Sequence, residues 1–159
     1  MITLKVDDSG LIALLGDLKA RAGNTRPVMS TIGEIVISSI EKNIEVGGRY
    51  SSPESWRGGT RKWQGLSSAT IKQRTKKGYW PGKILQQSGQ MAGSVSKKVG
   101  NNYVIVGSNK KQAAIQQFGG KAGRGYKVTI PARPWIVVQD EDLTEMTAAI
   151  TAHLMKGVK

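Results

Sequence analysis

Nine cations (Arg49, Arg57, Arg61, Lys62, Lys72, Arg74, Lys76, Lys77 and Lys83) stand between residues 47 and 83, against one acid, Glu54. Tyr50, Trp56, Trp63, Tyr79 and Trp80 are interleaved with them. Cations at this density can follow a phosphate backbone while the aromatics stack on bases. If six of them each neutralised a phosphate of duplex DNA, affinity would fall with salt at a log–log slope of about −5. The same pattern suits docking on an acidic protein surface. It also suits solvated loop charges, with Trp56, Trp63 and Trp80 anchoring the loop to the core or to a neighbouring subunit. No helix-turn-helix or other nucleic-acid recognition motif accompanies the cations. All three readings stay open, with a protein interface ranked first.

These residues belong to a longer acid-free block. The 85 residues from Ser55 to Gln139 hold sixteen Lys and Arg and no Asp or Glu. Residues 1–54 hold six basic and seven acidic groups, and residues 140–159 hold two and four. The net charge of +13 on 159 residues therefore arises in one block. Like charges repel, so a polyanion, an acidic protein or wide spacing over exposed loops must make the block tolerable. It also strips half the chain of the carboxylates that most catalytic sites use.

Little else could carry catalysis. His153 is the one histidine and there is no cysteine, so a zinc site of ordinary type or a Ser-His-Asp triad has almost nothing to build on. Gly120-Lys121-Ala122-Gly123-Arg124-Gly125 resembles a phosphate loop in composition, but it precedes a strand where a phosphate loop would precede a helix. The acidic runs Asp7-Asp8 and Asp140-Glu141-Asp142 sit where helix caps are expected. The reading is a binding or assembly part with no enzymatic activity, no cofactor and no metal. The first residues lack the apolar run of a signal peptide, and no stretch nears the ~18 apolar residues of a membrane span. A soluble protein made in the cytoplasm, with no membrane partner, is the expectation.

The elements that position these residues follow from periodicity and punctuation. Ile2, Leu4 and Val6 alternate as a strand with one buried face. Asp8 or Ser9 can cap a helix with Leu11, Ile12, Leu14, Leu15 and Leu18 on one side, broken at Gly23-Asn24. Val28, Ile32, Val36, Ile40 and Ile44 recur every fourth residue in a second helix that starts near Thr25 and ends at Gly47-Gly48. Ser67 can cap a short helix through Lys76 inside an otherwise extended basic loop, 47–83. Ser88 can cap a helical turn before a hairpin around Gly100-Asn101-Asn102. Gln112 to Phe118 reads as a helical turn or two ending at Gly119, and Lys127 to Ile130 as a strand. Pro131 and Pro134 forbid helix or central strand between them, and Trp135 to Val138 resumes an extended run. Asp140 caps a last helix carrying Leu143, Met146, Ile150 and Leu154. The expectation is a single α+β domain over 1–159: a mostly antiparallel sheet packed against long amphipathic N-terminal helices and a C-terminal helix.

Three segments, in order, carry a more specific signal. The first is Trp63-x-x-Leu66-x-x-x-Thr70 followed by Leu85-x-x-Ser88-Gly89-x-Met91-x-x-Ser94. The second joins Val104-Ile105-Val106-Gly107 to Gln116-Gln117-Phe118-Gly119, and the third is Ile130-Pro131-Ala132-Arg133-Pro134-Trp135. Their order and spacing resemble the phage virion morphogenesis family, also called tail completion proteins, of Mu-type and related tailed phages. Two departures are Gln112-Ala113-Ala114 where the family tends to show Tyr-Ala, and Trp135 where Phe is more usual. The resemblance implies a structural protein that completes the tail or neck at the head–tail junction, made in the host cytoplasm and carried in the virion. It implies a homo-oligomeric ring, often hexameric, meeting connector and tail-tube proteins, with transiting DNA nearby. It brings no catalytic residues. As physics, the motifs read as structural pins: Ser88 and Gly89 cap and turn, Gly119 takes a positive φ, and the two prolines leave Arg133 projecting. The expected partner of Arg133 is a set of backbone carbonyls or an acid in the terminal helix.

Overall fold

The computed structural model describes residues 9–157; the expected strand at Ile2 to Val6 lies outside them. Five helices and four short strands follow one another: α1 (Ser9–Gly23), α2 (Arg26–Glu45), α3 (Ser68–Lys76), β1 (Val95–Val99), β2 (Val104–Ser108), α4 (Lys111–Phe118), β3 (Gly120–Ala122), β4 (Val128–Ile130) and α5 (Asp140–Met155). This is an α+β fold. α2 is its axis, lying against α5 and against the β1–β2 ribbon, while α1 touches α5. The fourth-residue stripe of α2 supplies Val28, Ile40 and Ile44 to the interior, with Ile35 beside them. Trp63, Met91, Ala113 and Trp135 complete the core from four other segments.

The α1–α2 junction shows how a distant turn does local work. Thr25 makes no side-chain cap to its own helix. Its amide instead donates to Asn101 Oδ1 at 3.1 Å and its hydroxyl to Asn102 Oδ1 at 3.0 Å, while Asn101 Nδ2 donates to the Gly23 carbonyl at 3.0 Å. The hairpin turn thus satisfies both helix ends. Gly33 allows the ribbon this close: a Cβ there would stand 2.8 Å from Lys97 Cδ and 2.9 Å from Val104 Cγ2. At the other end of the fold, His153 Nε2 lies 3.2 Å from the Arg21 carbonyl and 3.1 Å from that of Asn24, and Arg21 donates to the Leu154 carbonyl at 2.8 Å. These contacts pin α5 to the end of α1.

Ser67 caps α3 as expected, accepting from the Thr70 amide at 3.3 Å. Two other expected caps fall elsewhere. Ser88 is exposed, and the 3₁₀ turn at Ala92–Ser94 follows Met91 with no side-chain cap; Gly89, at φ 68°, makes the bend. α5 is opened by the residue before Asp140: the Gln139 amide donates to Asp142 Oδ2 at 2.8 Å, which puts the useful carboxylate inside the first turn. The antiparallel strands form two separate ribbons, β1–β2 and β3–β4, in place of one sheet.

Candidate assembly cleft and basic surface

The segment from Arg133 to Gln139 is extended, yet apart from one parallel bridge between Val138 and Arg57 it joins no strand, so most of its backbone groups must be satisfied another way. Side chains do it. Gln117 Oε1 accepts from the Trp135 and Ile136 amides, both at 2.9 Å, and Gln117 Nε2 donates to the Ile136 carbonyl at 3.2 Å. Asn43, fully buried on α2, donates to the Pro134 and Trp135 carbonyls at 3.0 Å each and accepts from the Arg49 amide at 2.6 Å. Trp63 Nε1 reaches the Pro134 carbonyl at 3.0 Å, and Trp135 Nε1 the Ala113 carbonyl at 3.1 Å. The Ser39 hydroxyl donates to the buried Asp142 carboxylate. Gly58 and Trp56 exchange backbone bonds with Val138 at 2.8 and 2.9 Å. This segment is the hub to which α2, α4 and the basic stretch are tied.

Parts of the three signature segments, with Gln116 alone from the second, meet beside that hub in one open cleft of about 740 Å³. Leu66, Thr70, Leu85, Ser88, Met91 and Gln116 line it, with Ile130, Pro131 and Arg133 on the far side. Two arginines belong to this lining, Arg74 from α3 and Arg133, each only 6% exposed. No Asp or Glu lines the cleft, and neither arginine has a carboxylate within salt-bridge distance among the described residues. Arg133 donates to the Gln64 and Gly65 carbonyls at 3.3 and 3.4 Å and to Gln116 Oε1 at 3.3 Å. Of its two expected alternatives, backbone carbonyls or an acid of the terminal helix, the structure shows the carbonyls. Burial first, and the Arg74 charge second, lower its pKa from the ordinary guanidinium value.

The nine cations part company in the fold. Arg74 is buried, with Nη1 on the Lys83 carbonyl at 2.9 Å. Arg49 is half-buried and bonded to Glu141 at 2.7 Å. Both were expected at an outer contact surface; the fold places them inside because α3 and the hub fold back over them. The stretch 47–83 is folded on itself by Tyr50–Arg61 pairing and held to the body through the Val138 bonds and the core position of Trp63, where an extended loop was expected. The other seven are exposed. Arg57 pairs with Asp140 at 2.8 Å and lies 5.3 Å from the Trp56 ring centre. Lys62 donates to the Val46 carbonyl at 3.0 Å, and Lys83 stands 3.9 Å from Glu45. Arg61, Lys72, Lys76 and Lys77 complete the surface set.

Among the signature residues, Trp63, Pro134 and Trp135 are buried, Leu85 sits at φ 62° between core and cleft, and Gly119 takes φ 71°. Phe118 is not a pin: it is 72% exposed. Sequence reasoning missed Ser39 and Asn43, named Asp142 only within a run of capping acids, and quoted Gln117 without a role. A signal existed for the first two, polar residues four apart beside the apolar stripe of α2. Among the described residues no group of three or more His, Cys, Asp or Glu is placed to hold a metal ion, and no helix is long and apolar enough to cross a membrane.

The model of the phage virion morphogenesis family matches residues 6–155, which includes every element lining the cleft. The chain belongs to that family. It is 31% identical over 160 residues to the Mu-like prophage FluMu G protein 2 of Haemophilus influenzae, with both chains covered in full. It is 29% identical over 135 residues, 84% of this chain and 82% of the other, to protein G of Escherichia phage Mu, whose name describes a capsid assembly protein. No solved structure matches. As a virion morphogenesis protein the chain serves the building of phage particles.

Proposed function

We propose that this virion morphogenesis protein completes the tail or neck at the head–tail junction, as one subunit of a homo-oligomeric ring, with a hexamer favoured. Its neighbours in this reading are connector and tail-tube proteins, and its place is the finished virion. The observation that carries the proposal is Phe118. A signature aromatic left 72% exposed is of no use to the monomer's own core. Tyr126, at 73%, stands in the turn between β3 and β4 and Val128 on β4, and Trp56 and Ile105 are exposed as well. Burying side chains of this size between subunits stabilises each by roughly 1.5–3 kcal/mol. The exposed cations would then face acidic neighbours or the DNA passing through the ring.

The test is genetic and physical together. Purified particles should contain the chain, light scattering should show a closed oligomer alone or on its neck partners, and Phe118→Asp should leave a folded monomer and unjoined heads and tails. The reading fails if particles lacking the chain still join heads to tails, or if the chain stays an inert monomer with its partners present. Absence from purified particles would mark an assembly chaperone instead. Duplex DNA binding that falls steeply with salt and needs no virion partner would favour a stand-alone nucleic-acid-binding protein.

A further inference from the structure

The cleft between α3 and the 130–133 segment holds two buried positive charges and no negative one. Such an arrangement is costly, because burial and mutual repulsion both oppose it. The internal hydrogen bonds offset that cost only in part: Arg74 Nη1 has the Lys83 carbonyl at 2.9 Å, and the others are long or missing. Those of Arg133 are 3.3–3.4 Å long, well beyond the ~2.7–2.9 Å of a strong charge-assisted bond. Arg74 Nε is fully buried and finds no acceptor among the described residues. Guanidiniums held this way are complementary to an anion that is not part of this chain.

We infer that the cleft is a socket for an aspartate or glutamate side chain on an extended segment of a different, acidic virion protein. Resting on the assembly role above, this names the chemistry of one partner contact. Three features select a carboxylate on a peptide over nucleic acid. The two arginines lie below the surface, where a single side chain reaches and the phosphates of a stiff duplex do not. The rim is neutral, with exposed Gln87, Ser88 and Ser67 in place of the exposed cations that a phosphate track requires. Thr70 and Arg74 share the cleft face of α3, whereas Lys72 and Lys76 fall on its opposite face. The remaining lining is partly apolar, through Leu66, Leu85 and Met91, which suits the flanking side chains of a peptide. A second copy of this chain is a poor occupant, because among the described residues Asp17, Glu34, Glu45, Asp140 and Glu141 are already paired with the chain's own cations.

The full chain can be titrated with the peptide acetyl-Ala-Glu-Leu-Glu-Ala-amide while the arginine Nε–H signals are followed by NMR. The Arg74 and Arg133 signals should shift and saturate, and the matched glutamine peptide should leave them still. Gln87→Trp, an exposed rim change that touches neither arginine, should weaken the binding by about tenfold or more. That variant should retain the wild-type unfolding midpoint, so lost binding cannot be mistaken for lost folding. Four results would each overturn the inference: no shift at either arginine, equal shifts with the glutamine peptide, equal or larger shifts with inorganic phosphate or a 12-base-pair duplex, or shifts produced by raising the protein's own concentration. Because the readout needs no particle, failure here would leave the ring proposal standing, and failure of head–tail joining would leave the socket standing.

Discussion

Replacing Asn43 should be the most damaging small change in the fold. Its side chain satisfies three backbone groups from two separate segments, the Arg49 amide and the Pro134 and Trp135 carbonyls. Pro134 retains Trp63 Nε1 when Asn43 is shortened to alanine, but the other two have no second partner among the described residues. A buried polar group without a partner costs roughly 1–3 kcal/mol, so two cost about 2–6 kcal/mol, before any loss of packing. For a chain of this length that corresponds to a fall in midpoint temperature of about 5–20 °C. Asn43→Leu separates the causes, since leucine restores volume and restores no hydrogen bond. Urea unfolding of the wild type and both variants, with slopes compared, gives the differences directly. Both variants should lose at least about 2 kcal/mol, with leucine recovering little. A leucine variant as stable as the wild type would refute the reasoning and show that Asn43 acts through volume alone.

Gly119→Ala should cost about 1–3 kcal/mol, because φ 71° with ψ −175° suits only glycine and the new Cβ would stand 2.7 Å from the Ala132 amide nitrogen. Calorimetry checks it, and an unchanged midpoint would contradict the backbone assignment. Trp63→Phe keeps most of the ring in the core but removes the bond to Pro134, so a loss of about 1 kcal/mol is expected by urea unfolding, less than for Asn43→Ala. The Glu141 carboxyl is held below the ordinary glutamate value, first by its own backbone amide and then by Arg49 and Lys42. Its folded pKa is depressed, so its contribution to stability is present above the unfolded value and is lost as pH falls through the folded one. NMR titration should place its midpoint below that of a model glutamate, and Arg49→Gln should raise it only part of the way.

Local pattern was enough for the helices. The fourth-residue stripe of α2, Ser67 before α3, and Gly119 after α4 are short-range signals, and each reports on backbone geometry within a turn or two. The hairpin at Gly100-Asn101-Asn102 was legible for the same reason, although its second duty, holding the α1–α2 junction, was not. The acid-free block and the three ordered segments also lie in the sequence, and they carry the family and its non-catalytic reading. Charge alone, however, cannot say which cations face outward. Arg74 and Arg49 look like their neighbours in the chain, and only the folding of α3 and the hub over them buries the first and half-covers the second.

The same limit explains the single sheet that became two ribbons. Trp135 to Val138 has the composition of a strand, but side chains of Asn43 and Gln117 had already taken the hydrogen bonds of Trp135 and Ile136, and Asn43 stands 92 positions from Trp135. Sequence therefore determined the elements, the charge and the kinship, because these depend on neighbours along the chain. Tertiary structure alone decided that residues 63–91, 112–116 and 128–133 close around two arginines with no acid between them, because burial and counter-charge are properties of a place in space.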